Sequence, residues 1–388
     1  MYVTHHLPWP TDSGGRLREA QLITRLADRF DIELVAVTKD VGKDRHGLGQ
    51  ASALGVRARL FAATPVSRVA GPLARRHGSA SARQYLRHRW ASGPGRCADV
   101  IHVEGHYLMP LLPRAARRRA VLVEHNVEST LFLQAARSAA LTRRKRVATL
   151  VDAAMTRTDE RRAWRTARMV VGVTPEDVDT IAEIVGPARV RLVPNGADHV
   201  SADATGEPDE KPCAALLVFV GNFAYPPNAA AAHELIDRIL PAVRARVGTA
   251  SLALVGSGPP RSLLDAAAWC EAVTVTGPVR DVVPWLRAAT LVIAPLRIGG
   301  GVKVKILEAL TMGKAVITTS VGAHGLHRLP PGSLVLADDP HGFARAVVRL
   351  LTDEPARRRQ EARARLAARE LPTWDAAAEQ LAACWNQA

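Results

Sequence analysis

Three consecutive glycines, two lysines and one glutamate between Pro295 and Gly313 have the types and spacing of an anion site joined to a hydroxyl site. The apolar run Thr290 to Pro295 has the length and composition of a buried strand. Gly299, Gly300 and Gly301 follow it, where backbone without side chains can approach a ligand closely. A helix is predicted to begin near Val302. Its first free N–H groups and positive dipole end would face a diphosphate, with Lys303 or Lys305 adding full charge. Glu308 falls about two turns in, where a carboxylate can accept hydrogen bonds from a vicinal diol such as that of a ribose. The competing reading is an ordinary strand-to-helix crossover with a flexible glycine loop and solvated lysines.

The elements that must position these groups alternate between strand-like and helical patterns, the signature of parallel α/β layers. In the second half, strands are predicted at 215–221, 251–256, 273–277, 291–295, 315–319 and 333–337, each ending at a glycine, proline or polar turn. Ligands of open α/β sheets sit at the carboxyl ends of strands, which would gather Gly221, Gly256, Gly258, Gly277 and Gly299 to Gly301 on one rim. In the first half, strands are predicted at 32–38, 99–104, 120–124 and 169–174, with a very short, cut-off or frayed first strand at 1–4. Gly15 to Arg29 reads as the first helix, and Thr174 to Asp177 as a helix start with proline in the first turn. The run Val190 to Asp198 closes one domain, and the polar stretch Ser201 to Pro212 reads as a surface linker.

At 388 residues the chain is long enough for two domains, which we place at 1–200 and 213–370, with a last helix at 371–388. Its composition, 47% hydrophobic and 23% charged, is globular. The four cysteines, Cys97, Cys213, Cys270 and Cys384, have neither zinc nor disulfide-framework spacing. With no long apolar run and no leader pattern, a cytoplasmic protein is expected. The net charge of +15 is carried almost entirely by arginine and would suit an anionic substrate or an anionic leaflet. Aromatic residues are only 4% and do not interleave with the arginine clusters, so nucleic acid is not expected as a partner.

These motifs together resemble the retaining family 4 glycosyltransferases of GT-B fold, the glycosyl transferases group 1, over essentially the whole chain. Val193-Pro-Asn-Gly-Ala-Asp198 is similar to the family's interdomain stretch, Phe219-Val-Gly-Asn222 to its opening strand, and Leu254 to Pro259 to the second strand and turn. Val275 to Asp281, with Gly277 and Val279, resembles the base-contacting loop, and Gly299 to Gly313 the diphosphate and ribose site. In the first half, Asp12-Ser-Gly-Gly-Arg16 resembles the glycine loop, with Gly14, Gly15 and Arg16, and Glu124-His-Asn-Val-Glu128 matches the place of the active-site histidine, His125.

The resemblance implies two Rossmann-like, doubly wound domains facing each other across a cleft. The C-terminal one would hold a nucleoside-diphosphate sugar through Gly221, Asn222, Gly256, Gly277, Val279, Gly299 to Gly301, Val302, Lys303, Lys305 and Glu308, with Gly15 of the N-terminal glycine loop as a further donor contact. His125, Lys303 and Glu308 would serve catalysis, and Gly14, Arg16, Glu104 and Glu128 would meet the acceptor. It implies retention of configuration, and neither metal nor cofactor. Asp338-Asp339 reads as a helix N-cap pair rather than a metal motif. The chain departs from the family at Gly300, where a glutamate is usual, and at Asn222 and Pro227, where basic residues are usual; this shifts the phosphate clamp to Lys303 and Lys305. A small-molecule or soluble saccharide acceptor is expected, because no amphipathic helix with exposed Trp, Phe or Leu is read beside the arginine clusters. A lipid-linked or polysaccharide acceptor with peripheral membrane contact is the alternative. A nucleotide-sugar epimerase on the same fold and a degenerate binding subunit are the rival readings, and the oligomeric state is left open.

Overall fold

The computed structural model describes residues 1–64, 78–91, 98–137, 141–201 and 215–388. The linker expected at Ser201 to Pro212 lies outside the described residues apart from Ser201, as do Cys97 and Cys213. The described chain forms two compact units. The first comprises Met1–Thr11, Gly15–Asn195 and Asp375–Ala388; the second comprises Asp12–Gly14 and Gly196–Trp374.

Each unit is built on one wholly parallel sheet. In the first, β1 (Tyr2–Thr4), β2 (Glu33–Thr38), β3 (Arg57–Ala62), β4 (Ile101–Glu104), β5 (Ala120–Glu124), β6 (Met169–Gly172) and β7 (Val190–Leu192) take the order β3-β2-β1-β4-β5-β6-β7. In the second, β8 (Leu216–Val220), β9 (Ser251–Val255), β10 (Val273–Gly277), β11 (Leu291–Ala294), β12 (Val316–Thr318) and β13 (Val335–Leu336) take the order β10-β9-β8-β11-β12-β13. The central strands are short aliphatic runs because helices cover both faces; β8 and β11 are buried at every residue. This is the doubly wound architecture expected from the alternation of patterns.

The differences from the expectation are local. Strand β3 has no counterpart among the predicted strands: Arg57-Ala-Arg-Leu-Phe-Ala62 lies at a sheet edge, and its residues are half-buried or exposed rather than forming an apolar run. Thr174 does cap the helix Pro175–Val185, its hydroxyl accepting from the Asp177 N–H at 3.0 Å. Of the acidic pair, only Asp339 caps a helix; Asp338 instead accepts from the backbone and hydroxyl of Ser320 at 2.7 and 2.6 Å.

Five helices matter below: α1 (Gly14–Leu26), α2 (Glu128–Ala136), α3 (Arg143–Thr166), α4 (Val304–Thr311) and α5 (Trp374–Asn386). Each unit has its own core. In the second, Phe219, Leu254 and Ile293 from the sheet pack with Ile306, Leu307 and Leu310 of α4. In the first, Val3, Val35, Val103 and Leu122 pack with Trp164 of α3.

Candidate functional site

The second sheet winds outward in opposite directions from β8 and β11, so the crevice of a doubly wound fold opens at the carboxyl ends of these two strands. Gly221 and Asn222 leave β8 there. Residues 295–303 leave β11 and lead into α4. Four of the expected residues therefore meet at one switch point: Gly221, Lys303, Lys305 and Glu308.

Lys305 is the central group. Its Nζ donates to Asn228 Oδ1 at 2.8 Å and lies 4.5 Å from the Phe219 ring centroid. A Cβ at Gly221 would come within 2.9 Å of that Nζ, so the missing side chain gives the ammonium its place. Burial lowers the Lys305 pKa to about 7; Glu308 pulls it up and Lys303 pushes it further down. The result is a cation short of negative charge on the rim where the glycine amides end. Gly256 passes across the same rim at φ +137, and a Cβ there would fall 2.1 Å from the Gly221 carbonyl oxygen, so only glycine lets the ends of β8 and β9 approach.

Lys303 behaves differently from the expectation of a second clamp. It is the N-cap residue of α4, which starts just past the predicted Val302, and its Nζ donates to the carbonyls of Gly300 and Gly301 at 2.9 and 2.8 Å. The ammonium thus ties the glycine loop closed on itself, with Gly301 at φ +59 and Gly299 packed under the lysine stem. Asn222 is also engaged locally: its Oδ1 accepts from the Ala224 N–H at 3.0 Å and its carbonyl from Asn228 Nδ2 at 2.8 Å. Gly277, at φ +67, ends β10, while Val279 and Val302 pack half-buried on the core.

Glu308 is buried, and its Oε1 accepts from His199 Nε2 at 2.9 Å. His199 Nδ1 in turn accepts from Trp374 Nε1 at 3.0 Å. An indole N–H can only donate, so the shared proton lies on the tryptophan and His199 carries its own proton on Nε2. The Val193 to Asp198 stretch supplies the fit around it. A Cβ at Gly196 would fall 2.3 Å from the Trp374 backbone nitrogen, and Asp198 Oδ1 accepts from that N–H at 2.7 Å. His199 was missed in the sequence; its one signal was standing directly after this stretch.

In the first unit the switch point lies between β1 and β4. Glu104, at the end of β4, is fully buried. Its Oε1 accepts from the Tyr2 hydroxyl and from His102 Nε2 at 2.8 Å, and its Oε2 from His125 Nε2 at 2.7 Å. Both oxygens are engaged, which corrects the expectation that Glu104 meets an acceptor: it holds His125. Burial opposes charge on His125, but Glu104, by its charge and its hydrogen bond, reverses this and raises the pKa. Burial alone would raise the Glu104 pKa, yet the two imidazoles beside it hold it well below the usual carboxylate range. Glu19, also buried, is pushed up to about 8 by burial and by Glu104.

Arg16 is likewise corrected. Its guanidinium is spent inside the unit on the Leu7 carbonyl and on Asp44 Oδ1, both at 2.6 Å. Gly14 and Gly15 open α1. Glu128 opens α2 and lines a cavity of about 230 Å³ with His106, Tyr107, Asp152, Asp159 and Arg162. His106 is buried, which disfavours its charge, but Glu124 at 3.3 Å raises its pKa to about 9. The cavity wall therefore presents both cationic and acidic side chains.

Among the described residues, two groups could converge on a metal ion: His5, His6 and Glu19, and Glu19, Glu104 and His125. Glu19, whose pKa burial and Glu104 push up to about 8, belongs to both and would give up its proton to a bound cation. No helix of the described residues is long and apolar enough to cross a membrane.

Residues 214–353 match the family model of glycosyl transferases group 1. No curated protein sequence matches the chain. Among solved structures, sucrose-phosphate synthase from Thermosynechococcus elongatus superposes with a TM-score of 0.70 at 18% identity, covering 100% of this chain and 98% of that one. WaaG, a glycosyltransferase involved in lipopolysaccharide biosynthesis, gives 0.68 at 17% identity with 100% of both chains covered. HepE of Anabaena in complex with UDP-glucose gives 0.67 at 14% identity, covering 100% of this chain and 99% of that one. These likenesses establish the GT-B fold.

Proposed function

We propose that this chain, whose residues 214–353 match the family model of the group 1 glycosyl transferases, moves a sugar from a nucleoside-diphosphate sugar to an acceptor hydroxyl with retention of configuration and without a divalent metal. The observation that carries the reading is Lys305: a half-buried ammonium with its pKa brought to about 7, at the sheet switch point, one turn of α4 before a buried glutamate. An arriving diphosphate would restore its charge, and Glu308 would take the ribose hydroxyls.

Transfer requires a nucleoside diphosphate to leave from an oxocarbenium-like sugar, so the protein's main contribution is stabilising the leaving phosphate. Lys305 and the amides of Gly299 to Gly301 serve that role, and Lys303 shapes the loop. His125, held by Glu104, contacts the donor sugar as a hydrogen-bonding imidazolium rather than a nucleophile. The polar cavity beside Glu128 receives the acceptor. A UDP-sugar is the first donor to test, since the HepE structure of the same fold holds UDP-glucose.

A panel of nucleotide sugars in a thermal-melt assay gives the direct test, because a ligand of the folded state raises apparent stability. The matching donor should raise the melting temperature, and NMR of the product should show the anomeric configuration of the donor preserved. No shift with any nucleotide sugar or nucleoside diphosphate would defeat the reading. A second reading, a lipid-linked acceptor, is favoured by one observation, the exposed apolar face of α3.

A further inference from the structure

The outer face of α3 is apolar. Val147, Leu150, Val151, Ala154 and Met155 recur at i, i+3, i+4, i+7 and i+8, which places them on one side of a helix, and all five are exposed. Val147 is 56% exposed, Val151 49%, Leu150 45% and Met155 42%. A stripe of this period normally marks the face turned to the core. Here the opposite face is the inward one: Asp152, Thr156, Asp159 and Ala163 line the cavity. Of the ten exposed large hydrophobic residues among those described, four lie on this stripe and a fifth, Leu133, on the neighbouring α2. That is a patch rather than scatter.

Charge brackets the stripe at both ends. Arg143, Arg144, Lys145 and Arg146 are exposed before it, and Arg157 after it, while Asp152 and Glu160 are buried. We infer that the outer face of α3 is a docking surface for an anionic lipid leaflet, with the stripe entering the acyl boundary and the flanking cations meeting headgroup phosphates. A second copy of the chain fits worse. Parallel or antiparallel pairing of two such helices sets arginines against arginines, with no exposed acid between Val147 and Met155 to offset them. A purely phosphate-bearing polymer would leave the stripe without a partner. This docking is independent of the transfer reaction.

Flotation of the full chain with vesicles of phosphatidylcholine, alone or mixed with phosphatidylglycerol, at physiological salt, decides it. The parent should float with the anionic vesicles and far less with the neutral ones. Combined Val147→Ser, Leu150→Ser, Val151→Ser and Met155→Ser should cut partitioning by about tenfold or more, with the melting temperature unchanged because the positions are exposed. Combined Arg143→Gln and Arg144→Gln, which leaves the stripe in place, should weaken binding by roughly thirtyfold and flatten its dependence on anionic lipid. Three results would overturn the inference: no flotation of the parent, binding that survives the serine changes intact, or binding that vanishes between low and physiological salt. A concentration-dependent dimer that the serine changes dissolve, without vesicle binding, would assign the face to a second copy instead.

Discussion

Trp374 Nε1 donates to His199 Nδ1 at 3.0 Å, and near the other end of the same helix Trp385 Nε1 donates to His102 Nδ1 at 3.0 Å. Each indole forces its histidine to carry the proton on Nε2, and each Nε2 faces a buried glutamate: Glu308 at 2.9 Å and Glu104 at 2.8 Å. Within its own unit, each tryptophan thus fixes the histidine that faces a buried carboxylate. Trp374→Phe keeps the buried ring and removes the donor, so His199 is free to change tautomer and Glu308 loses a fixed partner. The expected outcome is a three- to tenfold rise in donor KM, roughly 1 kcal/mol, with kcat little changed. Steady-state kinetics with varied donor checks it; unchanged KM would reduce the contact to packing.

Lys305→Ala should weaken nucleoside-diphosphate binding by roughly 1–3 kcal/mol. Lys303→Ala should act less directly, through the loop it ties, and cost less. Calorimetry on both variants reads the order; equal loss, or none at Lys305, would contradict the assignment.

The lowered pKa of Lys305 has a proton signature. Its folded value, about 7, lies below the ordinary 10.5, so between them the unfolded chain holds more protons and burial of the neutral amine favours folding as pH rises. Diphosphate binding pulls the value back up. At about pH 8 the protein should therefore take up a proton on binding, an uptake that fades below about pH 6 as Lys305 is already charged. Calorimetry in buffers of different ionisation enthalpy measures it, and Lys305→Ala should abolish it.

His125 is raised by Glu104, so its stabilising charge is complete below its ordinary 6.5 and is lost as pH rises through the higher folded value. If the imidazolium contacts the donor sugar, kcat should fall along that limb. Glu104→Gln should bring the fall to lower pH and depress kcat about tenfold or more while leaving nucleoside-diphosphate affinity nearly intact. A pH profile that does not move with this substitution would remove the role.

Turnover should persist in excess EDTA, since the proposed leaving-group stabilisation uses Lys305 and backbone amides. Loss that magnesium or manganese restores would instead direct attention to Glu19, Glu104 and His125, the one candidate set that includes a proposed active-site residue.

The sequence by itself determined the parts whose information is local. The aliphatic runs that became β8 and β11, the glycines at 299–301, and the offset from Lys305 to Glu308 that places both on α4 could all be read from period and spacing. Short-range sterics and helical geometry set these, so neighbours in the chain suffice. Tertiary structure decided the partners. His199 and Glu308 are 109 positions apart, and Trp374 and His199 are 175 apart, so no spacing rule links them. The same holds for Glu104, read as an acceptor contact until β4 and β5 set it against His125, and for Arg16, which the fold turns inward to Asp44. The stripe on α3 shows the limit most clearly. Periodicity establishes that one side of a helix is apolar, but only the packing of the remaining chain determines whether that side is covered, and here Asp152 and Asp159 face inward while Leu150 and Val151 face out.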